Sequence, residues 1–148
     1  VIIPKAITAD DKAIQGPVVK DGVVCESMES FIQSLRVKDP VLQKDVCAKS
    51  GAFAYSIREM LPDWRKDKIV YWKGTAVNRL DDSYFELMKS AYTCLYNSSA
   101  IFRCSLAQAS QLIIVHSIGC DVISETLLTP SEYIALLKYL ISTNGLDK

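Results

Sequence analysis

Glu29, Gln33 and Arg36 stand at positions i, i+4 and i+7 of the stretch "CESMESFIQSLRVKDP" (residues 25–40), beside Met28, Phe31, Ile32 and Leu35. On a helix turning about 100° per residue, the three polar side chains share an arc of about 60°. The apolar stripe centres roughly 110° away, so the trio flanks the buried face instead of opposing it. Pocket walls are built at such boundaries. Glu29 also falls in the first turn, where the helix dipole favours an ionised carboxylate. Periodicity alone favours an ordinary boundary face. The chemical alternative is a carboxylate at the rim of a pocket, with an amide and a guanidinium to hold hydroxyls or phosphate.

A second group lies in "QLIIVHSIGCD" (residues 111–121), an apolar run feeding a glycine-containing loop. Rigid strands that present exposed loops are common carriers of function. His116 could donate a proton or hold a hydroxyl. Asp121 could orient water or stabilise positive charge. The competing reading makes His116 a satisfied core-edge residue and Asp121 a turn residue. A third group, "PDWRKDKIVYWK", interleaves Arg65, Lys66, Lys68 and Lys73 with Trp64, Tyr71 and Trp72. That mixture suits a stacked base and a phosphate, although core aromatics with solvated lysines between them are the favoured reading.

These groups need elements to position them. Residues 1–24 read as an irregular or partly extended lead-in, with turn signals at "QGP" and "KDG". Ser27 is the expected N-cap of the first helix, and Asp39-Pro40 the N-cap and first residue of the second. That second helix is expected to run toward Ser50-Gly51, with the glycine as its stop. A short helix over "AFAYSIREML" ends at Pro62. A helical turn from Trp64 and an extended "IVYW" follow. Tyr84, Phe85, Leu87, Met88, Ala91, Tyr92 and Leu95 mark a long amphipathic helix. "NSSAIFRCSLAQA" reads as another helix with serine or asparagine caps, and "QLIIVHSIGCD" as the one convincing strand. In "TPSEYIALLKYLISTNG", Thr129, Pro130 and Glu132 form a capping box and Asn-Gly the stop. The expectation is one domain over residues 1–148, mostly helical, of the α+β class.

Composition narrows the function classes. The chain has 148 residues, 49% hydrophobic and 23% charged, which suits a globular domain with its own core. Seventeen basic residues balance seventeen acidic ones, so the overall field announces neither a nucleic acid nor a membrane, and DNA contact would have to be local. No apolar run approaches the ~20 residues needed to cross a bilayer. "VIIPKAITADD" lacks the layout of a signal peptide, and without an initiating methionine the stretch reads as a processed or partial chain. Five scattered cysteines with no C-x-x-C pair point to a reduced, cytoplasmic location. One histidine makes a zinc site improbable, so no metal is expected. Phosphate-loop, dinucleotide and nucleophile-elbow motifs are all missing, and no cofactor is expected either.

"SMESFIQ" (residues 27–33) resembles the S-V-E-x-x-x-Q helix of the NADAR, or YbiA-like, family. "SGAFA" followed by "DW" is similar to that family's small-residue helix and downstream tryptophan, and "LAQASQLIIVHSIGCD" to its late turn, strand and acidic loop. The chain departs from the family in lacking a Trp-Gly pair after Asp121, in carrying Tyr55 at a basic position, and in its N-terminal segment. The resemblance implies a compact, mostly helical fold and a metal-free N-glycosidase that removes ADP-ribose from a modified guanine base. It implies Glu29, Asp121 and His116 as catalytic residues. Ser27, Gln33, Arg36, Trp64, Ser117 and Gly119 would then bind an ADP-ribosylated base or nucleotide-like molecule. Carboxylates suffice to stabilise an oxocarbenium-like sugar and to position water. Alternatives are an N-glycosidase for phosphoribosyl intermediates of riboflavin synthesis, a non-catalytic ADP-ribose-binding module, and an interaction protein.

Overall fold

The computed structural model describes residues 17–109 and 121–146. It opens with an antiparallel hairpin, β1 (Val18–Lys20) and β2 (Val23–Cys25), in register Val18↔Cys25 and Lys20↔Val23. Asp21 and Gly22, with φ of +49° and +81°, make the left-handed turn that matches the twist of two strands. Strict alternation buries Val18, Lys20, Val23 and Cys25 and leaves Val19 and Val24 exposed.

Helix α1 (Met28–Ser34) starts at the expected cap, with Ser27 Oγ accepting from Ser30 N at 3.1 Å. Helix α2 (Pro40–Cys47) starts at Asp39, whose carboxylate accepts from Val41 N at 2.9 Å. It does not run to Gly51. It ends at Cys47, and Ser50 caps a separate helix, α3 (Gly51–Ser56), so Gly51 opens a helix instead of closing one. The reason is local: a serine followed by small residues supplies an N-cap as readily as a glycine supplies a stop. A 3-10 turn, Arg58–Met60, carries the chain to Pro62.

The expected helical turn at Trp64 is closed by Lys68 N donating to Trp64 O at 2.7 Å. Strand β3 (Ile69–Trp72) follows, but it is half of a second hairpin, pairing with β4 (Thr75–Asn78) through a Lys73-Gly74 turn at φ +52° and +84°. Among the described residues the strand component is thus two hairpins. The strand expected over residues 111–121 falls outside the described residues, except for Asp121, which belongs to no element.

Helix α4 (Asp82–Ser98) runs against β1, α5 (Ala100–Ala109) and α6 (Pro130–Thr143). Tyr84, Met88, Ala91, Tyr92 and Leu95 form its buried stripe, and Tyr92 meets the rings of Phe102 and Tyr133 at 6.5 and 6.0 Å. On the other side Phe31 sets its edge against Trp72 at 5.0 Å. Each such side chain contributes about 1.5–3 kcal/mol when removed from water, so this shared core outweighs any single polar contact. The α+β, mostly helical class stands. Among the described residues no helix is long and apolar enough to cross a membrane.

Candidate functional site

The polar edge of α1 is a hydrogen-bonded relay. Glu29 Oε1 accepts from Gln33 Nε2 at 3.1 Å, and Gln33 Oε1 accepts from Arg36 Nε at 2.9 Å. Helical spacing brings the first two together, and the last turn, tightening toward Leu35, brings Arg36 back under Gln33. Gln33 is buried, while Glu29 and Arg36 are partly so. With its Nε engaged from behind, the guanidinium is fixed in orientation. Neither Nη1 nor Nη2 of Arg36 meets an acceptor among the described residues, and no buried side-chain nitrogen or oxygen there lacks a partner. The two terminal nitrogens are therefore engaged by none of the described residues.

Two neighbouring arginines share the field. Burial and the charge of Arg65 lower the pKa of Arg36, Asp63 and Glu59 oppose that shift, and Arg58 adds to it. The two acids are already committed elsewhere. Asp63 accepts from the Arg65 amide and from Arg65 Nε, both at 3.0 Å, which holds its carboxyl below the ordinary range and raises Arg65. Glu59 stands 3.8 Å from Arg58 Nε, and the Arg58 guanidinium lies over the Tyr55 ring at 3.7 Å. Arg36 is the member of this group whose charge is least answered. Such a group accepts planar oxyanions, because two parallel N–H donors match the edge of a phosphate or carboxylate.

The other expected site residues lie as follows. Ser27 is buried under α1, its hydroxyl engaged by Ser30 N and lying 3.0 Å from Ser30 Oγ. Trp64 is only 3% exposed and belongs to the main core, with Lys68 Nζ 5.9 Å from its ring, so it offers no open face to a stacked base. Lys68 donates to the carbonyls of Arg65 and Ser124, which brings the loop after Asp121 against the Trp64 turn. Asp121 accepts from Ser131 N at 3.1 Å and Ser131 Oγ at 2.8 Å, securing the first turn of α6. Its described contacts do not join it to Glu29. His116, Ser117 and Gly119 lie outside the described residues. The basic-aromatic stretch does not form one surface: Trp72 Nε1 donates to Asp21 Oδ2 at 2.8 Å, and Lys73 Nζ to Asp21 O at 2.8 Å. Among the described residues no group of three or more His, Cys, Asp or Glu is placed to hold a metal.

Two features escaped sequence reasoning. Arg58 is one, since nothing in "SIREM" marks it as a neighbour of Arg36. The other is a buried ion pair in which Arg79 Nη1 and Nη2 reach Glu132 at 3.0 and 2.6 Å, while Nε donates to Thr126 O at 2.9 Å. Glu132 also completes the capping box, so one carboxylate serves both helix start and tertiary tie. The capping pattern pointed to Glu132, but nothing local pointed to Arg79.

The comparisons with known proteins correct the family and the activity inferred from it. The family model for bacteriophage protein GP30.3 matches residues 9–142. A relative in Enterobacteria phage T4, the "Uncharacterized 17.1 kDa protein in Gp30-rIII intergenic region", is 27% identical over 127 residues, covering 85% of this chain and 84% of that protein. No solved structure matches the chain. The NADAR resemblance is overturned by these matches. With it go the N-glycosidase activity, the removal of ADP-ribose, and the riboflavin and ADP-ribose-binding alternatives that hung on it. The short motifs have simpler causes: Ser27 is a helix cap, Trp64 a core residue, and Asp121 a ligand of the Ser131 turn. A model that spans nearly the whole sequence outweighs them, and the chain belongs to the bacteriophage GP30.3 protein family.

Proposed function

We propose that this phage protein is a cytoplasmic binding protein for a small oxyanion-bearing molecule, which it takes at Arg36. One observation carries the reading. The Arg36 guanidinium is held through Nε by the Gln33–Glu29 relay, and none of the described residues engages its two outer nitrogens. A pre-oriented guanidinium loses less entropy on binding than a free one, and a charge-assisted pair contributes about 1.5–3 kcal/mol. Arg58 and Arg65 raise the local positive potential around it. In this reading Glu29 and Gln33 are positioning residues. Free thiols at Cys25, Cys47, Cys94 and Cys104 support the reducing interior of the infected cell as the place of action.

The test is a titration of the isotope-labelled protein with inorganic phosphate, inorganic pyrophosphate and acetate, following the arginine Nε–H resonances by NMR. Saturable movement of the Arg36 resonance is expected, largest for pyrophosphate, and it should vanish in Arg36→Met. Movement that does not saturate, or that survives in Arg36→Met, would overturn the assignment.

A further inference from the structure

Helix α6 ends in a tight turn made by Asn144, Gly145 and Leu146. Leu146 N donates to Ile141 O at 2.9 Å and Gly145 N to Ser142 O at 3.2 Å, the paired bonds of a Schellman cap. Asn144 seals the last turn twice: its backbone N donates to Leu140 O at 3.1 Å, and its side-chain Nδ2 donates to the same oxygen at 2.8 Å. Gly145 sits at φ +68°, the left-handed conformation that this cap requires and that a residue with a Cβ resists. Leu146 packs against the main core, while Asn144 and Gly145 are exposed.

We infer that Asn144 is a deamidation site, with water as co-reactant, and that the Schellman turn holds it closed until the end of α6 frays. The inference is independent of the anion site. Glycine shields its own amide nitrogen least, so the cap sets beside Asn144 the neighbour that leaves its side chain most open to attack. In the reaction hydroxide removes the Gly145 N–H proton, and that nitrogen attacks Asn144 Cγ. The Cγ–Nδ2 bond breaks, the leaving nitrogen takes a proton from water, and ammonia departs from a five-membered imide. Water then adds to one of the two ring carbonyls and opens the ring, giving aspartate or isoaspartate. The sum is amide plus water to carboxylic acid plus ammonia, with no change of oxidation state.

The turn opposes the first step in three ways. A ψ of 7° at Asn144 points the Gly145 nitrogen away from Cβ, so the ring closes only after rotation about the Cα–C bond. The attacking N–H is engaged by Ser142 O, and the leaving Nδ2 by Leu140 O. All three are released by fraying of one turn, and helix ends open locally at far less cost than the whole fold. The product does not rebuild the cap. A carboxylate has no N–H to give Leu140 O and stands at the negative end of the helix dipole, and isoaspartate adds a methylene to the backbone of the turn.

The experiment keeps the wild-type protein in mildly alkaline buffer, folded and in parallel in guanidinium chloride. Intact mass follows amide loss, and peptide mapping assigns it among Asn78, Asn97 and Asn144, the three asparagines of the chain. In denaturant, Asn144 is expected to react ahead of the other two. In the folded protein its loss should be at least about tenfold slower. Leu146→Ala keeps the Asn-Gly pair but withdraws its anchor. It should lose the Asn144 amide faster than wild type when folded, with an unchanged circular dichroism spectrum, and at the wild-type rate in denaturant. Equal rates in folded and denatured wild type, denatured loss led by Asn78 or Asn97, or a folded rate unmoved in Leu146→Ala would each overturn the inference.

Discussion

At the scale of single residues, the behaviour of Arg36 depends on what stands behind it. Gln33 is the only link between Glu29 and the guanidinium that the described contacts reveal, so its removal should free the side chain without unfolding α1. Gln33→Met is expected to weaken oxyanion binding several-fold while leaving the circular dichroism spectrum unchanged, which a titration beside a spectrum would check. Equal affinity in that variant would mean the relay does not orient Arg36. Asp21 gives a pH-dependent counterpart. Hydrogen bonds from Lys20 (2.6 Å) and Trp72 hold its carboxyl below its ordinary 3.8. A folded-state pKa below the unfolded one contributes stability above the unfolded value, and that stability is lost as pH falls through the folded value. Asp21→Asn should therefore destabilise the protein at pH 6 and do so progressively less as the pH falls below the unfolded value, as urea unfolding across that range would show.

At the scale of elements, local signals were readable and tertiary ones were not. Ser27, Asp39-Pro40 and the Thr129–Glu132 box each satisfy orphan backbone groups within a few residues, so their meaning does not depend on the rest of the chain. Thr129→Ala should accordingly cost about 1 kcal/mol in denaturant unfolding, since it removes the bond to Glu132 N. The Ser50-Gly51 boundary was misread because a cap and a stop draw on the same small residues. Strand β4, "TAVN", shows no strong alternation, and its pairing with β3 is settled by the Lys73-Gly74 turn and the contacts around it. Of the candidate site, the Glu29–Gln33–Arg36 face was legible because helical spacing alone aligns it. Arg58 and Arg65 join it only through the path of the chain between α3 and β3, which no spacing rule encodes.

At the scale of the whole molecule, the second hairpin and the last helix are joined across the fold. Arg79 follows β4, and its pairing with Glu132 at the start of α6 sits above the Tyr84 ring at 4.4 Å, while Tyr84 OH donates to Leu127 O. Breaking such a buried pair leaves an uncompensated charge, so Arg79→Met or Glu132→Ala should each cost about 3–5 kcal/mol in chemical unfolding. Cost within a few tenths of zero would assign the tie no structural weight. The same scale explains why the α+β class was readable and the family was not. Class follows from periodicity summed along the chain, whereas the family inference leaned on a few short words, each of which the fold needs for its own caps and core. The central claim remains the open guanidinium of α1. Calorimetric titration of inorganic pyrophosphate into wild-type protein and Arg36→Met, side by side at low salt, tests it most directly. One-site binding in the wild type that weakens at least about tenfold in the variant is the predicted result. Identical isotherms for the two proteins would contradict it.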